Sequence, residues 1–227
     1  MSTDFQRARS PEAKLARENA ILDAARSLAT EGGIRGVTLT EVAEKVGMHK
    51  SALLRYFETR EEIFLRLAAE GWHDWSTALR AQLAMLAPQG VEGSGKKGNP
   101  EAVAAIIASS LMARPLFCDL LAHVPMNLER NVSLETVRIF KRIALDEMAA
   151  ISTVLRDSLP LTEAQAANVL TTAGGLAGAL WQMAAMGTNL RHFYETEPDL
   201  AHAVVNAGPQ LTDILTGLIE GYVARNH

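Results

Sequence analysis

Residues 38–56 read TLTEVAEKVGMHKSALLRY, and the spacing inside this stretch decides the fold. Thr38 and Glu41 stand three apart, the capping-box spacing that lets a hydroxyl and a carboxylate satisfy the open N–H groups of a helix start. Leu39, Val42, Ala43 and Val46 then fall at i, i+3, i+4 and i+7, one face of a short helix over 38–46. Gly47 breaks it, and a further short helix is expected over 49–56. Two short helices joined by a tight glycine turn are the helix-turn-helix pattern. Such a pair needs a small residue where its helices cross, here Ala43, and a turn residue at ease in left-handed geometry, here Gly47. Val42, Val46, Met48, Leu53 and Tyr56 are the apolar positions that would fix the angle between them. His49, Lys50, Ser51, Leu54 and Arg55 are left facing outward, mostly polar and basic, as suits a helix entering a major groove. The implied partner is double-stranded DNA.

Working outward, nearly everything reads as helix. Ser10-Pro11 opens one over 11–31, with Ile21, Leu22, Ala25, Leu28 and Ala29 on one face and Gly32-Gly33 as its stop. Thr59 and Glu62 form another capping box at the head of a long helix through Leu86. The stretch 87–100, APQGVEGSGKKGNP, has the glycine and proline content of a loop. Helices follow near 101–112, 114–124, 133–158, 162–186 and 200–225, with Ser133 as one cap and Thr162 with Gln165 as a capping box. Pro160, Pro198 and Pro209 mark breaks or kinks. The fold class is all-α: a three-helix helix-turn-helix domain over 1–58 and a larger helical bundle over 59–227.

Composition agrees. The chain carries 22 Lys and Arg against 26 Asp and Glu, a net charge of −4 that taken alone argues against nucleic acid. Residues 1–60, however, hold ten basic and eight acidic residues, leaving the acid excess to the remainder. One cysteine, Cys118, excludes an internal disulfide framework and a cysteine-based zinc site. No run approaches the roughly 18 apolar residues of a spanning helix, and the N-terminus has no apolar core of a secretory signal, so a cytoplasmic protein with no membrane partner is expected.

The run ILDAARSLATEGGIRGVTLTEVAEKVGMHKSALLRYFETREEIF, about residues 18–65, resembles the DNA-binding region of TetR-family bacterial transcriptional regulators. The resemblance rests on Ala24-Ala25, Glu31-Gly32, Thr38-x-x-x-Val42-Ala43, Val46-Gly47 and Tyr56-Phe57-x-x-Arg60-Glu61. It implies a homodimeric repressor on a palindromic operator, with a C-terminal domain that binds a small-molecule effector and dimerises. By the same resemblance Thr38, Thr40, Tyr56 and Arg60 fall where the family touches phosphate, and Lys50, Ser51 and Arg55 lie on its recognition helix. Leu54 replaces the family's usual tyrosine, leaving apolar contact such as a thymine methyl, and His49 replaces a small hydroxylated residue. Arg7, Arg9, Lys14 and Arg17 form a basic arm that either grips the DNA backbone or stands solvated.

The C-terminal half is less explicit. Met112, Phe117, Met126, Phe140 and Trp181, with Trp72 and Trp75, are candidates to line an apolar effector cavity, or else plain core. The effector would be partly apolar. Gly174-Gly175-Leu176-Ala177-Gly178-Ala179 would suit a dimer face or a pocket wall. Asp119 with His123, and Glu195 with Asp199 and His202, are too sparse for a metal site, and neither metal nor cofactor is expected. An all-helical enzyme or carrier is the competing class, without a phosphate loop, nucleophile elbow or paired-histidine motif to support it. An architectural DNA-binding protein without a ligand is the third reading.

Overall fold

The computed structural model describes residues 11–86 and 98–226. The basic arm's Arg7 and Arg9, and most of the 87–100 loop, lie outside the described residues. Ten α-helices and two 3-10 turns are present among the described residues, with no strand, confirming the all-α class.

Helix α1 (Pro11–Gly32), α2 (Leu39–Lys45) and α3 (Lys50–Leu53) form the N-terminal unit, closed by the start of α4 (Arg60–Leu86). Both halves of the first capping box are made: the Glu41 N–H donates to the Thr38 hydroxyl at 3.2 Å, and the Thr38 N–H donates to the Glu41 carboxylate at 2.7 Å. Gly47 takes φ +66°, and the chain closes on itself there by Gly47 N–H to Glu44 C=O and Met48 N–H to Ala43 C=O, both 3.0 Å. That pair of bonds is the left-handed helix stop that glycine makes cheap. The third helix is shorter than the expected 49–56. After Leu53 the bonds shift to a three-residue step, Arg55 N–H to Ala52 C=O and Tyr56 N–H to Leu53 C=O, which tightens the turn. A single turn cannot hold itself in water, so its anchor is Leu53, fully buried against the core.

Helices α5 (Pro100–Met112), α6 (Pro115–His123), α7 (Leu134–Ser158), α8 (Glu163–Ala184), α9 (Asn189–Thr196) and α10 (Ala207–Arg225) make the C-terminal bundle. In it α4 packs on α7, α5 on α10, and α6 on α8. Asn99, Ser133 and Thr162 cap α5, α7 and α8 with their side chains. Beyond α8 the expectation is corrected. That helix stops at Ala184, because Ala185 (φ 47°) and Gly187 (φ 73°) turn left-handed. A separate α9 follows, capped by Thr188, and the last helix begins at Ala207 after a 3-10 turn over Pro198–Ala203.

Aromatic packing centres the bundle. Trp72 meets Trp75 and Phe117 edge-on at 5.4 and 5.6 Å between ring centroids, and the buried Trp75 indole donates to the Ser110 hydroxyl at 2.9 Å. Gly178 lets α8 touch the backbone of α6: a Cβ there would stand 2.7 Å from the Ala122 nitrogen.

Candidate nucleic-acid interface

The outward face of the helix pair is built from side chains with no internal employment. Lys50, Ser51 and Arg55 are exposed, and their side chains make no hydrogen bond or ion pair among the described residues. Leu54 stands beside them, 43% exposed. His49 is the residue before α3, also exposed, and its ring makes no capping bond. Thr40 is exposed on the first turn of α2. Tyr56 is half-buried, with its ring against the core. The structure therefore brings His49, Lys50, Ser51, Leu54 and Arg55 together on one short segment, with Thr40 on the neighbouring helix.

Two expected phosphate contacts are occupied within the protein. The Thr38 hydroxyl accepts the Glu41 N–H and donates to the Glu41 carboxylate at 2.8 Å. Bonds from the Thr38 hydroxyl and then from its N–H hold the Glu41 carboxyl below its usual range. Arg60 is turned inward: its guanidinium donates to the carbonyls of Ile34 and Val37, pairs with Glu61 at 3.1 Å and lies 4.7 Å from the Phe64 ring centroid. Its fork spans two carbonyls of the α1–α2 connection and gives each a donor. Only 19% of the side chain is exposed. At the Thr59 capping box the Glu62 N–H does donate to the Thr59 hydroxyl, but the Glu62 carboxylate accepts from the Glu58 N–H instead of closing the box.

The family comparison rests on both halves. The model of bacterial regulatory proteins of the tetR family matches residues 21–67, and that of the tetracyclin repressor-like C-terminal domain matches residues 69–226. The chain belongs to the TetR family. It is a transcriptional regulator with an N-terminal DNA-binding helix-turn-helix and a C-terminal ligand-binding domain. No curated protein matches it significantly. Among solved structures it is similar to a putative TetR-family transcriptional regulator from Mesorhizobium loti (15% identity, 93% of this chain and 97% of that one, TM-score 0.52). It is also similar to the transcriptional regulator FadR from Bacillus subtilis in complex with stearoyl-CoA (16%, 88% and 98%, 0.52). A third is the TetR-family repressor FadR from Thermus thermophilus in complex with lauroyl-CoA (19%, 88% and 93%, 0.50). At these identities the likeness shows the fold.

The candidate effector residues of this TetR-family chain are dispersed. Phe117 forms part of a groove of about 500 Å3 between α1, α4 and α6, with Leu67, Gly71, Leu116 and Leu120. Trp181 lines a second groove of about 610 Å3, where the α1–α2 connection faces α6 and the α8–α9 turn. Thr30, Pro115 and Leu116 belong to both, so the two meet along the seam between α1 and α6. Phe140 is buried on α7, Met112 faces Gly208 at the start of α10, and Met126 is 66% exposed after α6. Cys118 is buried, and its thiol is pushed up to about 12 by that burial and, secondarily, by the charge of Asp119. Among the described residues no three His, Cys, Asp or Glu side chains gather as metal ligands. Sequence reading missed Gln182, which donates to the Asp119 carboxylate at 2.6 Å, and no local pattern marks that pairing.

Proposed function

We propose that this regulator is a homodimeric repressor that reads a palindromic operator through residues 49–56 and is released by a partly apolar small molecule bound in residues 59–227. The observation that carries the reading is the unengaged face of Lys50, Ser51, Leu54 and Arg55 on a capped and buried helix pair. These four would read base edges, while Thr38, Thr40 and Tyr56 contact phosphates and Arg60 does so only by leaving the turn carbonyls. Two recognition helices in one dimer would stand roughly 34–36 Å apart or slightly more. The exposed faces of α8 (Thr171, Gly175, Ala179) and α10 (Ile214, Gly217) are small enough for a second copy to approach closely. A partly apolar effector is supported by the apolar grooves at the α1–α6 seam and by the acyl-CoA ligands of two similar regulators.

The test is a fluorescence-anisotropy titration of the full chain against the DNA upstream of its own gene, beside a scrambled duplex, at two salt concentrations. A preference for the upstream DNA, with affinity falling steeply as salt rises, is the expected result. Genome-fragment selection that enriches no sequence at all would overturn it.

A further inference from the structure

The continuous helix α4 joins the N-terminal unit to the bundle, and Arg26 of α1 pairs with Glu70 on it at 2.6 Å; beyond α4, residues 14–59 meet residues 98–226 through one polar bridge. Helix α1 ends at Gly32, and Gly33, with φ +74°, points the next N–H away from α1. That N–H, of the buried Ile34, donates to Oδ2 of Asp119 on α6 at 2.9 Å. No other hydrogen bond or ion pair among the described residues joins residues 14–59 to residues 98–226. The Asp119 side chain is 13% exposed, and its other oxygen accepts from the Gln182 amide of α8, with the His123 Nδ1 3.4 Å away. On the other side of the same residue, the Ile34 carbonyl accepts from Arg60, which also holds the Val37 carbonyl. Val37 precedes Thr38, the cap of α2. A hydrogen-bonded series thus runs from α8 through Asp119 and the α1–α2 connection to the start of the helix pair.

A carboxylate mostly withdrawn from water, with both oxygens engaged by N–H donors, makes strong and directional bonds. Its place at the hub of the seam gives it leverage over orientation. The helix pair faces DNA on one side and is fixed to the bundle on the other. In a two-fold dimer, the angle at which each pair leaves the bundle sets the distance between recognition helices, and with it the spacing of half-sites.

We propose that Asp119 is a positioning residue for operator recognition: braced by Gln182, its carboxylate holds the Ile34 N–H and so sets which half-site spacing the dimer accepts. This rests on the dimeric reading above. Asp119 touches no DNA and reads no base. Its loss frees the angle of the helix pair and leaves the outward face of Lys50, Ser51, Leu54 and Arg55 unchanged.

The experiment uses the full-length protein and an operator taken from selection, rebuilt as a series of duplexes whose half-site centres differ by single base pairs. The wild type is expected to bind one spacing sharply. In Asp119→Ala the advantage of that spacing over its neighbours should fall roughly tenfold, the effect of losing one hydrogen bond to a charged group, while half-site base preference stays the same. Asp119→Asn, whose carbonyl still accepts the Ile34 N–H, should restore most of the sharpness. Gln182→Ala, an exposed position safe for folding, should broaden the spacing in part and decides the matter if Asp119→Ala does not fold. Variants as sharp as the wild type, or affinity lost equally at every spacing, would overturn the proposal. A wild type that selects no paired half-sites would overturn the dimeric reading, and this inference with it.

Discussion

The helix-turn-helix has two sides built on opposite principles. Toward the bundle its groups are spoken for: Ile34 N–H by Asp119, the carbonyls of Ile34 and Val37 by Arg60, Leu53 by the core. Toward solvent, the side chains of Lys50, Ser51, Leu54 and Arg55 stand together without a hydrogen bond or ion pair among the described residues. Groups that stabilise the fold are satisfied inside it, and groups meant for another molecule are left open. The contrast separates the two kinds of residue more cleanly than burial does, since Thr38 is exposed and nonetheless engaged.

Substitutions should divide along the same line. The largest effect is expected deep in the bundle, where Trp75→Ala removes a fully buried indole, its edge-on contact with Trp72 and its bond to Ser110. Chemical denaturation should show a loss of about 3–5 kcal/mol, with base preference untouched in whatever protein remains folded. Gly178→Ala drives a methyl into the Ala122 backbone; an overpacking cost of about 1–3 kcal/mol is expected in the same assay, and none would mean that α6 and α8 can separate freely. Arg55→Ala should do the reverse, leaving the unfolding midpoint in place while relaxing one operator position by about 1–3 kcal/mol in a base-substitution series. A drop in thermal stability there would blur the contrast. Thr38→Ala tests the border: losing the cap should cost about 1 kcal/mol of stability, and any weakening of DNA binding should be uniform across sequences. At the small end, Cys118 should stay unmodified by a thiol reagent at pH 8 until the protein unfolds, because burial keeps the thiol protonated well above that pH.

The bundle also holds a carboxyl whose titration shifts on folding. Burial raises the Glu147 carboxyl, but hydrogen bonds from Ser76 and His73 and the charges of His73 and Arg80 outweigh it, leaving the group lowered overall. A carboxyl lowered on folding lends stability above the ordinary carboxylate range and gives it up as pH falls through that range. Glu147→Gln should therefore flatten the acid limb of the stability profile.

How much of this was legible in sequence depended on the distance over which each feature is encoded. The Thr38–Glu41 and Thr162–Gln165 boxes formed as their spacing indicated, because both partners lie within one turn. The Gly47 stop is equally local. The Thr59 box failed halfway because the Glu58 N–H competed for the Glu62 carboxylate. Helix α9 went unread, although Thr188 is a good cap and Leu190, Phe193 and Tyr194 follow at helical spacing; no buried face reinforces them. The inward turn of Arg60 answers carbonyls more than 20 positions upstream, and Asp119 meets a partner 85 residues away. No local pattern encodes such pairings. The scatter of Met112, Phe117, Met126, Phe140 and Trp181 has the same origin, since residue type marks what is apolar and not which side of a helix faces a cavity.

The length of α4 carries a mechanical consequence. One unbroken helix of 27 residues begins beneath the turn that Arg60 holds and runs through the bundle to an exposed end at Leu86. At about 1.5 Å per residue it is a rod some 40 Å long. Pivoting such a rod by about 5° carries its free end roughly 3.5 Å, close to the rise of one base pair. The protein thus has a gear ratio: an adjustment too small to disturb side-chain packing at one end amounts to a whole base-pair step at the other.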